Sequence, residues 1–159
     1  MDIDIREDDL RGSETAALLQ VHLDFSSAQS PPESCHALDL EALQAPDITF
    51  WTAWRDEVLL AAGALKELDP RHGEIKSMHT LAEARGQGVA RHLLDHIIGE
   101  AVRRGYHRLS LETGSMRAFA PARALYLRHG FRPCPPFADY RDDANSVFMT
   151  RALQPAPGR

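Results

Sequence analysis

The chain has 159 residues with 18 basic and 23 acidic side chains, a net charge of −5. That length suits one domain, and 43% hydrophobic with 26% charged residues excludes collagen-like, low-complexity and fully disordered chains. A net-negative chain without a Lys/Arg cluster is a poor match for nucleic acid.

The longest nearly unbroken apolar run, Val58 to Leu65, is far short of the ~20 residues that span a bilayer. No membrane association is therefore expected. The acidic start, MDIDIREDDL, lacks a basic region followed by an apolar stretch, so a cytoplasmic location is expected. Cys35 and Cys134 form no CxxC pair and read as ordinary thiols. Sixteen of the 18 basic residues are Arg, the side chain suited to forked contacts with phosphate or carboxylate.

In chain order, Ile3 to Arg6 reads as a short strand. A helix follows Ser13, with Ala17, Leu18, Val21, His22 and Phe25 at helical spacing. The Ser26–Ser34 stretch, with its Ser-Pro-Pro, breaks it, and a second short helix is predicted over His36 to Gln44. Ile48 to Trp54 is β-branched and aromatic; Val58 to Leu68 is apolar on both parities, as in a strand covered on both faces. After Asp69-Pro70, the shorter strand Glu74 to Thr80 should point Glu74, Lys76 and Met78 one way and Ile75, Ser77 and His79 the other.

The clearest helix runs from Gly88 to Arg104, with the row Val89, Leu93, Ile97, Ala101 beside Ala90, Leu94, Ile98, Val102. Gly105 suits its C-terminal cap. His107 to Glu112 reads as a strand, Pro121 to His129 as a helix, and Val147 to Ala152 as a last strand. Residues 1–153 are expected to form one domain, and 154–159 a flexible tail.

The segment Arg85-Gly86-Gln87-Gly88-Val89-Ala90 lies between a strand and the best helix. Its glycines allow close backbone approach, and the helix start offers unpaired N–H groups and a positive dipole end. That suits a phosphate or pyrophosphate; the alternative is a glycine-rich turn that only starts a helix. No Gly-Lys-Ser/Thr exists, so a P-loop is excluded. The dinucleotide fingerprint GxGxxG is half met, since Arg91 replaces the third glycine, although Glu112 lies 24 residues after Gly88, where a ribose-binding acid would sit.

RGQGVA resembles the Q/R-x-x-G-x-G/A signature of the GNAT superfamily of acyl-CoA-dependent N-acetyltransferases. Ala122 to Phe131, ARALYLRHGF, resembles the A-x-x-L-Y-x-x-x-G-F segment of the same family's fourth helix. The two motifs stand in the family's order, and the finer likeness is to a small bacterial, YsnE-like branch. The resemblance implies an α/β (α+β) fold: a mixed, mostly antiparallel sheet of six to seven strands flanked by about four helices. It implies an N-acyltransferase of the EC 2.3.1 class using acetyl-CoA as cosubstrate, with no metal and, by analogy alone, a homodimeric state.

By the same resemblance, amides of Arg85, Gly86, Gln87, Gly88, Val89 and Ala90 would cradle the CoA pyrophosphate. Met78, His79 and Thr80 would run beside the pantetheine, where an amide would polarise the thioester carbonyl. Tyr126 would protonate the departing thiolate, unless it is only a core aromatic. Glu74 would be the general base for the amine, unless it merely pairs with Lys76 or Arg71, and His79 is the competing base. Phe119 stands where the family often has Asn, which puts one cofactor contact in doubt.

His92 and His96 have metal-compatible spacing but read as a solvated helix face, and Trp51 and Trp54 as packing residues. Acceptor specificity would come from Phe25–His36 and Pro135–Ser146, where Asp139, Asp142 and Asp143 would attract a cationic amine or Arg141 would hold a carboxylate, unless the latter segment is only a solvated loop. Cys134, between prolines and without a base partner, is a weak candidate for a covalent acetyl-enzyme. The expected function is acetyl transfer from acetyl-CoA to a primary amine of a small molecule, by direct attack in a ternary complex. The alternative is a non-catalytic acyl-CoA sensor of the same fold.

Overall fold

The structure, a computed structural model, describes residues 2–153; the expected tail at 154–159 lies outside them. Local chemistry explains most element ends. Helix α1 (Ser13–Gln29) runs past Ser26, because nothing before Pro31 forbids helix and Ser30 still donates its N–H to Ser26 O. Helix α2 is only Leu40–Leu43, shorter than predicted, capped where the Asp39 side chain accepts from Ala42 N–H. Helix α3 (Val89–Arg103) starts at Gly88 in the left-handed region and ends before Gly105, also left-handed. Its predicted row Val89, Leu93, Ile97, Ala101 is fully buried. Helix α4 spans Ala120–Arg128.

The strands are β1 (Asp4–Glu7), β2 (Ile48–Arg55), β3 (Val58–Asp69), β4 (His72–Thr80), β5 (Arg108–Gly114), the two-residue β6 (Arg132–Pro133) and β7 (Ser146–Ala152). They form one sheet in the order β1-β2-β3-β4-β5-β7-β6. Neighbours are antiparallel except β4 and β5, which are parallel. Among the described residues, seven strands and four α-helices match the expected architecture. One core lies between the sheet and α3 with Tyr126 and Phe131; a second lies under α1 and α2, around Leu18, Leu19, Leu43 and Phe50. β3 supplies Leu60 and Leu65 to the first and Leu59 and Ala62 to the second, as its two-faced apolar pattern predicts.

The functional feature is a split in the sheet. β4 and β5 pair only from His72↔Arg108 to Ile75↔Leu111, yet β4 continues to Thr80 and β5 to Gly114. Beyond the last pair the two strands part. Ser77 has φ +57°, and the β3–β4 register shifts opposite it, between Ala62 and Ala64. This bulge bends β4 and resets its alternation.

The predicted parity therefore fails after Lys76. Met78 packs with Ile75 in the α3-side core, whereas His79 joins the Glu74 and Lys76 face and meets α1 through His22 and Phe25.

Candidate active site

A cavity of about 950 Å³ occupies the split. Its walls include Glu74 to Thr80 of β4, Glu112 to Gly114 of β5, His22 and Phe25 of α1, Tyr126 of α4, Tyr140, and the loop Arg85–Ala90. All eleven residues assigned from sequence to catalysis or cofactor binding line this one space.

At the loop end, Gly86 and Gly88 have φ of +77° and +80°. Only glycine takes that conformation without strain. The first α3 bond runs from His92 N–H to Gly88 O, leaving the Val89, Ala90 and Arg91 amides without an intrahelical acceptor. A Cβ on Gly86 would meet nothing within 4 Å, so the loop surface there is open. These donors fit a pyrophosphate at a helix start. The Arg85 amide is engaged instead, donating to Ala82 O at 3.3 Å, and its side-chain Nε donates to Thr80 O at 3.4 Å. Gln87 is tied by Arg55 Nη1 to its side-chain oxygen at 2.8 Å.

Along the middle, β4 past Ile75 has lost its β5 partner, so its edge faces the cavity over Met78, His79 and Thr80. An extended chain can pair with such an edge. Ser77 Oγ and His79 Nε2 are buried without a hydrogen-bond partner among the described residues, and both residues line the cavity. His79 and His22 approach through their Nδ1 atoms at 3.1 Å. Burial, and then the Arg85 charge, lowers the His79 pKa to about 4; burial, and then His79, lowers that of His22 to about 4.

At the far end, Glu74 is 3% exposed and its Oε2 accepts from Tyr140 OH at 2.5 Å and Lys76 Nζ at 3.1 Å. Lys76 Nζ also donates to Tyr140 OH at 2.9 Å. On the facing strand, Glu112 accepts from Ser146 Oγ at 2.8 Å, and burial holds its carboxyl above the usual range. Tyr126 is 5% exposed; burial, then the Glu112 charge, pushes its phenol well above the usual value. It therefore keeps its proton at neutral pH.

Glu112 was linked from sequence only to a ribose-binding role, and Tyr140 only to a flanking loop. The signal for Glu112 is the parallel register: Glu74 pairs with Ser110, so Glu112, two residues on, shares its face. The loop after β6 brings only Tyr140 to the cavity; Asp139, Arg141 and Asp142 do not line it. Asp143 instead binds Ser34 Oγ at 2.5 Å. Phe119 lines the cavity and meets Phe25 edge to face at 5.4 Å, placing an apolar ring there. Cys134 lies outside the lining, and burial raises its thiol pKa. His96 rests against Trp51 at 5.4 Å, and among the described residues no three His, Cys, Asp or Glu side chains gather as a metal site. The loop follows the fourth strand of a mixed sheet, which is not the doubly wound setting of the dinucleotide fingerprint. No helix among the described residues is long and apolar enough to cross a membrane.

The sequence matches the model of the acetyltransferase (GNAT) family over residues 15–131. The chain belongs to the GNAT acetyltransferase family. It is 58% identical over 149 residues to the uncharacterized N-acetyltransferase YsnE of Bacillus subtilis, covering 94% of this chain and 99% of that protein. The expected YsnE-like branch is thus borne out. A putative acyl-CoA N-acyltransferase from Klebsiella pneumoniae superposes with a TM-score of 0.76 at 25% identity, over 96% of this chain and 98% of that one. A GNAT family acetyltransferase from Elizabethkingia anophelis with acetyl-CoA bound shares the fold with a TM-score of 0.71 at 19% identity, over 95% and 98%. The enzyme class expected from sequence, an acyl-CoA-dependent N-acyltransferase (EC 2.3.1), agrees with this GNAT membership.

Proposed function

We propose that this GNAT protein transfers the acetyl group of acetyl-CoA to a primary amine of a small molecule, by direct attack in a ternary complex. The observation that carries this is the meeting, in one cavity, of a glycine-loop helix start, a free β4 edge, Tyr126 and Glu74. The cofactor-bound relative from Elizabethkingia anophelis supports the donor. Amides of Gly86, Gln87, Gly88, Val89 and Ala90 hold the pyrophosphate, with Arg85 closing the loop by its side chain. The pantetheine adds to the edge at Met78, His79 and Thr80, where a main-chain amide stabilises the oxyanion.

Glu74 takes one proton from the bound ammonium, directly or through water. The amine nitrogen then bonds to the thioester carbonyl carbon, and the C–S bond breaks as the tetrahedral intermediate collapses. The thiolate takes the Tyr126 proton, and Tyr126 regains one from the nitrogen, leaving an amide and free CoA. A direct attack needs no enzyme thiol, and the position of Cys134 outside the cavity agrees with that.

Calorimetry with acetyl-CoA, followed by thiol release across an amine panel, tests this reading. Tight binding with turnover is expected. Binding without release for any amine would instead assign an acyl-CoA sensor.

A further inference from the structure

The acceptor end of the cavity carries an unbalanced charge. Glu74 and Glu112 reach it from the two parting strands and share one face of the sheet. The lysine at this end, Lys76, is already engaged by Glu74 Oε2 and Tyr140 OH. Arg85 and Arg91 belong to the phosphate loop and the first turn of α3, and Arg128 to the last turn of α4. Arg141, the other candidate for a substrate carboxylate, does not line the cavity.

A buried and a half-buried carboxylate facing one committed ammonium leave room for a second cation, and burial already strains Glu112 toward its neutral form. A ligand is also called for independently. His79 is only 9% exposed, its Nε2 has no partner among the described residues, and it lines the same cavity beside Phe25. Phe25 and Phe119, edge to face at 5.4 Å, present an apolar wall there.

We propose that the acceptor is a cationic primary amine that carries no carboxylate, with its ammonium seated between Glu74 and Glu112 and its apolar body against Phe25 and Phe119. This rests on the acetyltransferase reading and narrows it. Glu112 is the specificity-determining member of the pair: it attracts the ammonium, and it repels an α-carboxylate, for which the committed Lys76 offers no free ammonium.

Matched pairs test it: phenethylamine against phenylalanine, tyramine against tyrosine, and tryptamine against tryptophan, with thiol release followed at saturating acetyl-CoA. Each amine should exceed its carboxylated partner in kcat/KM by about 10-fold or more, the scale of one charge-assisted contact. Glu112→Gln should raise KM for the amine by a similar factor and narrow that preference, while calorimetric acetyl-CoA affinity shows that the variant is folded. The wild-type panel alone decides the case should that variant fail to fold. Equal or better use of the amino acids would overturn the proposal and leave the acetyltransferase reading standing. Bound acetyl-CoA with no amine turned over would overturn both.

Discussion

Tyr140, in the loop before β7, donates its phenolic proton to Glu74 Oε2 at 2.5 Å, across 66 positions of sequence. Lys76 donates to the same oxygen at 3.1 Å, so both bonds fix one oxygen and leave Oε1 to meet substrate or water. The pairing with Lys76 exists, and the carboxylate also lines the cavity. Glu74→Gln should lower kcat by about 10²-fold or more and alter its pH profile. Tyr140→Phe removes one charge-assisted hydrogen bond and should lower kcat by about 10-fold, with acetyl-CoA affinity retained. Thiol release measured across pH checks both; unchanged profiles would move the base elsewhere.

Burial and the Glu112 charge push the Tyr126 phenol upward, so it is protonated at neutral pH. Tyr126→Phe preserves the ring packing on Phe131, centroids 5.8 Å apart, and removes only the hydroxyl. The expected result is a loss of about 10²-fold in kcat with acetyl-CoA affinity almost unchanged. Equal losses in binding and turnover would mark the tyrosine as structural.

Much of this was legible locally. The α3 row, the two left-handed glycines before it and the Gly105 stop depend on neighbours within a few residues, so sequence periodicity carries them. The bulge at Ser77 was not legible, since no glycine or proline marks its positive φ and its cause lies in the pairing with β3. Its consequence, His79 turning to meet His22, was hidden for the same reason. The meeting of Glu74 with Glu112 needs the β4–β5 register, which is set by a crossover through α3 rather than by adjacent residues.

Glycine positions separate site from scaffold. Gly88→Ala forces an L-residue to φ near +80°, at a cost of about 1–2 kcal/mol, and should also weaken acetyl-CoA binding. Gly99, inside α3 with open space around its would-be Cβ, should behave oppositely: Gly99→Ala is expected to add about 0.5–1 kcal/mol. Urea unfolding compares the two stabilities, and calorimetry reads the acetyl-CoA affinity. A neutral Gly88→Ala would show that the loop relaxes without loss.

The His22–His79 pair sets an acid sensitivity. Both rings have pKa values lowered to about 4, chiefly by burial, so both are neutral in the folded protein at pH 7. In the unfolded chain they titrate near ~6.5. As pH falls through that value, the unfolded state takes up protons that the native state does not, and stability declines until about pH 4, where the native rings protonate too. Each such proton contributes a slope of about 1.4 kcal/mol per pH unit. Carboxylates add their own acid dependence, so the informative quantity is a difference between proteins. His22→Leu should be less stable at pH 7.5, having lost the 3.1 Å contact, yet lose less further stability between pH 6.5 and 5 than the wild type. Urea midpoints at those pH values give both slopes, and parallel slopes would place the acid sensitivity outside this pair.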